Sequence, residues 1–260
     1  MRLRDVGWCW EGQGIDPGVP PSVLGVGDGC RFFGLTRANF MFHANSDFAL
    51  DRLAWLDEVT CDISKWKWRE RPEGGFEHWV DAAPDSVRAE AELVSRLSLR
   101  HPNVTGAFHD DMLGLVRREG VTPEQYADIR AALASVNPAM KLWVVVYTHE
   151  FDAPEWGDFA RFIDVVSLWV WESRNLPGLD EHIARCRELF PGRPVVMGAY
   201  LRDYTLAAPV PMDLLRGQWE AMARHIEAGT LDGFSILGGN LVETHLEQAT
   251  WVRDFIAAHS

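Results

Sequence analysis

Apolar and polar positions along this chain change period repeatedly. Eight short runs read as strands, at residues 6–13, 37–45, 58–66, 104–111, 141–151, 165–172, 194–204 and 233–240. Several are nearly continuous in apolar residues, as in Val144-Val145-Val146 and Val195-Val196-Met197. That pattern marks parallel strands buried on both faces. Between the runs the spacing turns helical. Phe48, Leu50, Leu53 and Leu56 lie on one face of a helix over 46–56, and Val87, Ala91, Val94 and Leu97 on one over 84–99. Thr122-Pro123-Glu124-Gln125 forms a capping box ahead of the stripe Tyr126, Ile129, Leu133, Val136, and Asn137-Pro138 ends it. Three further stripes follow: Leu179, Ile183, Cys186 and Phe190; Met212, Leu215, Trp219, Met222 and Ile226; Leu246, Ala249, Val252 and Ile256.

Strand and helix therefore alternate throughout, which predicts an α/β fold. Eight such units in 260 residues is the size of a (β/α)8 TIM barrel, here a single domain over residues 1–260. A doubly wound sheet would want a glycine-rich phosphate turn after its first strand. Gly25-x-Gly27-x-Gly29 has neither that spacing nor a preceding strand and reads as a loop, so no cofactor is expected. Two connections are long, at about 11–31 and 67–83. Both leave the C-terminal ends of strands, where barrels carry their functional loops.

Charge and composition narrow the function. The net charge of −13 repels nucleic acid and anionic membranes, and no apolar run approaches the ~20 residues of a membrane span. The first residues lack the apolar segment of a secretory signal, and the four cysteines show no CxxC spacing. A cytoplasmic protein with reduced cysteines is expected. Twelve tryptophans are many for this length, and several fall at strand ends, where they can serve as platforms for sugar rings.

In a barrel the eight strand ends converge on one pocket. They carry Trp10-Glu11, His43, Asp62 with Lys65-Trp66, His109-Asp110-Asp111, Tyr147 with His149-Glu150, Trp169 with Trp171-Glu172, Tyr200 with Arg202, and Asn240. Paired carboxylates across a cleft can divide acid and base or nucleophile roles when their surroundings separate their proton affinities. Asp110, Asp111, Glu150 and Glu172 are the candidates for catalysis. The other residues of the eight ends are candidates for binding a carbohydrate. Side chains alternate along a strand, so only one of Asp110 and Asp111 is expected to face the pocket. A metal-dependent isomerase, aldolase or hydrolase using His43, Asp62, His109 and His149 is an alternative, although no HxH or HExxH spacing marks it. A sugar-binding barrel without turnover is another. Lys65, Arg202 and Gly238-Gly239 keep a phosphorylated or acidic ligand open.

The acidic end of the fourth strand, Phe108-His109-Asp110-Asp111, resembles in position the carboxylates of (β/α)8 glycoside hydrolases. Further acids follow strands five and six. The resemblance extends over the architecture of the whole chain and implies hydrolysis of a glycosidic bond. The DxxDxDxE run of the chitinase-like family is absent, as is the Asn-Glu pair of the largest retaining clan. No family's catalytic pair is therefore carried over.

Overall fold

The computed structural model describes residues 2–10, 19–20 and 22–260. Eight strands, β1 (Gly7–Trp10), β2 (Arg37–Phe40), β3 (Glu58–Asp62), β4 (Val104–His109), β5 (Lys141–Tyr147), β6 (Val165–Trp169), β7 (Val195–Tyr200) and β8 (Gly233–Leu237), close into one barrel. Every neighbouring pair is parallel, and β8 closes on β1 with Trp8 opposite Ser235. The helices are α1 (Val26–Phe33), α2 (Asp47–Arg52), α3 (Pro84–Leu97), α4 (Met112–Glu119), α5 (Pro123–Ala134), α6 (Trp156–Phe159), α7 (Leu179–Leu189), α8 (Met212–Glu227) and α9 (Leu246–Ala258). The predicted (β/α)8 barrel is the observed fold. Among the described residues no helix is long and apolar enough to cross a membrane.

The strands stop earlier than the apolar pattern predicts, because polar residues at their ends turn into short helical or irregular segments. Thr148–Glu150, expected as strand, forms a 3-10 turn. The expected loop at 67–83 is instead largely a β-hairpin, with Lys65–Glu70 pairing antiparallel to Phe76–Asp81. Helix α1 lies in the stretch read as a loop. Gly25 is its N-cap and Gly27 and Gly29 lie inside it. A Cβ on Gly29 would stand 2.8 Å from the Gly239 Cα, so this glycine lets α1 rest on the turn after β8. Glycine propensity argued against a helix there, and tertiary contact outweighed it. Residues 11–18 of that connection, with the candidate Glu11, lie outside the described residues. Pro123 opens α5 as predicted, with Gln125 N donating to Thr122 Oγ1 at 3.3 Å and Thr122 N to Gln125 Oε1 at 2.9 Å.

The barrel interior is layered. Low in the barrel, Asn39 donates to Thr60 Oγ1 at 2.8 Å and accepts from Ser235 Oγ at 2.6 Å, so these buried polar groups satisfy one another. Aromatic rings fill the rest. Trp8 meets Trp143 at 4.7 Å between centroids, Trp10 meets Phe108 at 4.6 Å, and Trp10 meets Trp169 at 5.2 Å. Gly198 makes room for one of these rings. A Cβ there would lie 2.0 Å from the Trp169 indole. Outward residues of the strands pack on the helices, as Phe234 does on Trp219 of α8 at 4.9 Å. The four cysteines are all buried and none forms a disulfide.

Candidate active site

Above the last aromatic layer the C-terminal mouth of the barrel holds a cavity of about 180 Å³. Trp10 and Trp169 form its floor with Val145 and Leu237. Trp171 stacks on Tyr204 at 5.5 Å and stands edge-on to Tyr147 at 5.8 Å and Tyr200 at 6.0 Å, giving one aromatic wall. Phe42, after β2, and Trp66, in the hairpin after β3, meet at 6.3 Å and form a second wall. The remaining lining residues are Asp110 and Asp111. Among the described residues the lining thus holds two carboxylates, eight aromatic rings and no cation.

Both aspartates face the cavity, against the expectation that only one would. The reason is local. Strand β4 ends at His109, and Asp111 adopts a left-handed backbone (φ 48°, ψ 30°) immediately before α4. The reversal cancels the alternation that a continuing strand would impose. Aspartate tolerates this conformation better than most residues, and a non-glycine residue held there costs on the order of 1–3 kcal/mol. Such strain is common at functional sites.

The surroundings push the two groups toward their protonated forms. Burial raises the proton affinity of Asp110 well above the usual carboxylate range. The charges of Asp111 and Asp62 add to this, and the Asp111 amide partly offsets it. Asp111 is ringed by protein but open to water through the cavity mouth. Burial raises its affinity too, while the Tyr147 hydroxyl, donating to Oδ1 at 2.9 Å, and the charge of His149 favour its ionised form. The two titrate as a pair, with Asp110 the more firmly protonated member.

The other residues expected at the site are placed as follows. Glu150 is half-buried and folds back to accept from Tyr147 N at 3.2 Å, capping the 3-10 turn; burial raises its proton affinity. Glu172 is ion-paired with Arg174 and lines a separate surface recess with Asp203 and Thr205, so it does not reach the cavity. His109 points outward, because it is the last residue of a regular strand whose neighbour Phe108 points in. Its Nδ1 lies 3.1 Å from the Tyr126 hydroxyl of α5, and burial lowers its pKa to about 3. His43 is exposed and stacks on Phe40 at 5.9 Å. His149 stacks on Tyr147 at 5.3 Å, at the rim. Lys65 is buried, donating from Nζ to His43 O at 2.7 Å and lying 3.8 Å from Asp62. Arg202 is buried in a small recess with Asp203 and Gln218, and Asn240 is buried in the 3-10 turn Gly239–Leu241. The outward turn of His109 means that His43, Asp62, His109 and His149 do not converge. Among the described residues no three His, Cys, Asp or Glu side chains are grouped to hold a metal ion.

Phe42 and Tyr204 line the cavity without having been singled out from the sequence. Tyr204 continues the Tyr200-x-Arg202-x-Tyr204 alternation by one step, a signal present in the chain. Phe42 reaches the cavity only because its own backbone is left-handed (φ 66°), which no pattern announces.

No family model and no curated protein matches this sequence. Solved structures do resemble it. The Bacteroides uniformis beta-glucuronidase superposes with a TM-score of 0.56 at 12% identity, over 91% of this chain and 30% of that one. This chain thus spans about a third of that enzyme. The chitinase from Chromobacterium violaceum gives a TM-score of 0.55 at 10% identity, over 94% of this chain and 98% of that one. The PgaB (BpsB) glycoside hydrolase domain from Bordetella bronchiseptica gives 0.50 at 12% identity, over 88% and 91%. At these identities the likeness is one of fold: the chain is a closed parallel (β/α)8 barrel similar to those of glycoside hydrolases.

Proposed function

We propose that the protein is a glycoside hydrolase in which Asp110 and Asp111 carry the chemistry. The observation that carries this reading is a carboxylate pair with separated proton demands, facing one cavity whose other walls are aromatic. Asp110, deeper and more firmly protonated, is the general acid that protonates the leaving oxygen. Asp111, which Tyr147 holds by its Oδ1, is the ionised partner that acts as base, nucleophile or charge stabiliser. The indole and phenol faces supply platforms for sugar rings. The barrel neighbours, whose names are those of enzymes acting on glycosides, support the same class.

The test is hydrolysis of a panel of aryl glycosides and oligosaccharides. Asp110→Asn and Asp111→Asn are each expected to lower the rate by roughly 10²- to 10⁴-fold. Glu172→Gln, outside the cavity, is expected to keep the wild-type rate. A wild type that hydrolyses nothing on the panel, or aspartate variants as fast as wild type, would overturn the proposal. Calorimetric binding of an oligosaccharide without turnover would point instead to a carbohydrate-binding barrel.

A further inference from the structure

We propose that Asp62 is a positioning residue of this site: its buried carboxylate ties the loops after β2 and β3 into the Phe42–Trp66 wall and fixes a negative charge behind Asp110. The inference rests on the reading of Asp110 and Asp111 as the reacting pair.

Asp62 is the last residue of β3 and is fully buried, pairing in register with Phe108, two residues before Asp110. A carboxylate inside a barrel must be paired or hydrogen-bonded to remain there. Asp62 meets that requirement with groups from both loops. Its Oδ1 accepts from Ser64 N at 2.8 Å and Ser64 Oγ at 3.0 Å, and its Oδ2 accepts from Phe42 N at 3.1 Å. Lys65 Nζ, 3.8 Å from Oδ2, binds His43 O at 2.7 Å. Asn45 closes the knot by donating to Asp62 O at 2.8 Å and to Glu90 at 3.2 Å.

Two features separate this arrangement from an ordinary structural acid. First, the amide that Asp62 binds belongs to Phe42, a bulky residue in the left-handed region (φ 66°). That conformation persists only where the surroundings impose it. Releasing the Phe42 amide frees the ring that, with Trp66, forms one wall of the cavity. Second, burial raises the proton affinity of Asp62, but Lys65 and the donors on Ser64 and Phe42 oppose this by favouring its ionised form, and the charge so held acts on Asp110. The other groups facing the aspartate pair are Tyr147, His149 and Glu150 from the β5 end and Tyr200 from β7. Asp62 differs from them in accepting directly from the Phe42 amide, so it links the wall to the charge.

The experiment is a carboxyl-carbon NMR titration of protein labelled at aspartate, with the Asp110 and Asp111 signals assigned from their Asn variants. In Asp62→Asn the midpoint of the pair is expected to fall by roughly 1 pH unit, since a like charge has been removed. In Lys65→Gln, which leaves the Asp62 charge uncompensated, it is expected to rise. Opposite shifts are a signature of charge that loss of packing would not give. A midpoint unchanged in Asp62→Asn overturns the proposal. Should that variant fail to fold, an unchanged midpoint in Lys65→Gln overturns it. The titration needs no substrate, so a wild type inactive on every glycoside would refute the hydrolase reading and leave this result standing on its own.

Discussion

Two adjacent carboxylates can share one reaction only if they differ in proton affinity. Here the difference comes from position: Asp110 lies deeper and feels both Asp111 and Asp62, while Asp111 is open to water and bound by Tyr147. If Asp110 is the acid, activity requires its protonated form, and the alkaline limb of the pH–rate profile reports its loss. Tyr147→Phe removes the bond that favours ionised Asp111. Asp111, the ionised partner, then keeps its proton to a higher pH, so the acid limb of the profile moves up and the rate on that limb falls by about 10-fold. This loss corresponds to one hydrogen bond to a charged group, worth ~1.5 kcal/mol. A profile recorded from pH 4 to 9 for wild type and variant checks it, and an acid limb that stays in place or moves down would refute the assignment of roles. The placement of Asp110 and Asp111 at the barrel mouth was legible in the sequence, because an apolar strand ending in charge is visible in one dimension, whereas His109 of the same run turns away. Which of the run's side chains face inward was not legible. Facing depends on where β4 stops, and the stop is set by a left-handed residue whose conformation the sequence merely permits.

The elements converge on the cavity through their ends, and buried polar groups hold those ends together. Asp203 shows this most clearly. Burial opposes its ionisation, yet Ser173 N and Oγ, Thr205 N and Oγ1 and Leu206 N all donate to it, and its pKa falls to about 2. It thereby fastens the segment after β6 to the segment after β7, which carry Trp171 and Tyr204 of the cavity wall. Asp203→Ala is expected to destabilise the fold by about 2–3 kcal/mol, because the two buried donors of Ser173 lose their acceptor and the turn at Thr205–Leu206 loses its anchor. Urea unfolding of wild type and variant measures this, and a loss below about 0.5 kcal/mol would mean that water replaces the carboxylate. The strands act by shape as well. In Gly198→Ala the new methyl group must displace the Trp169 indole, an overpacking cost of about 1–3 kcal/mol. The melting temperature should drop by about 2–4 °C for each kcal/mol, and an unchanged value would mean that Trp169 can move freely. At this scale the alternation of strands and amphipathic helices made the barrel readable from the chain, since period and burial are the same fact. What escaped was set by tertiary contact: α1, whose glycines pack against Gly239, and the hairpin at 65–81, whose alternation is broken by charged residues pairing with one another, as Arg69 does with Glu77.

For the whole molecule, the balance of buried titratable groups decides how stability responds to acid. Burial raises the proton affinities of Asp62, Asp110, Asp111 and Glu150, so the folded state holds their protons more tightly than the unfolded chain does. Stability gained from these groups grows as pH falls through their folded pKa values. Loss of the net charge of −13 acts in the same direction by relieving repulsion, down toward the pI of about 5.1. His109 opposes both. It remains neutral in the fold down to about pH 3, held against Tyr126, whereas in the unfolded chain it takes up a proton near pH 6.5. Between those values the unfolded state binds the extra proton, and stability falls with pH at up to ~1.4 kcal/mol per unit. His109→Phe preserves a ring against Tyr126 but cannot take the proton. Its unfolding free energy, measured in urea at intervals from pH 7 to pH 4, should therefore fall less steeply with acid, or rise, relative to wild type. The difference between the two curves should widen steadily below about pH 6.5 and is independent of the carboxylates common to both proteins. Parallel curves over that range would mean that His109 gains its proton inside the fold, which would require water or a carboxylate to reach a histidine buried between β4 and α5.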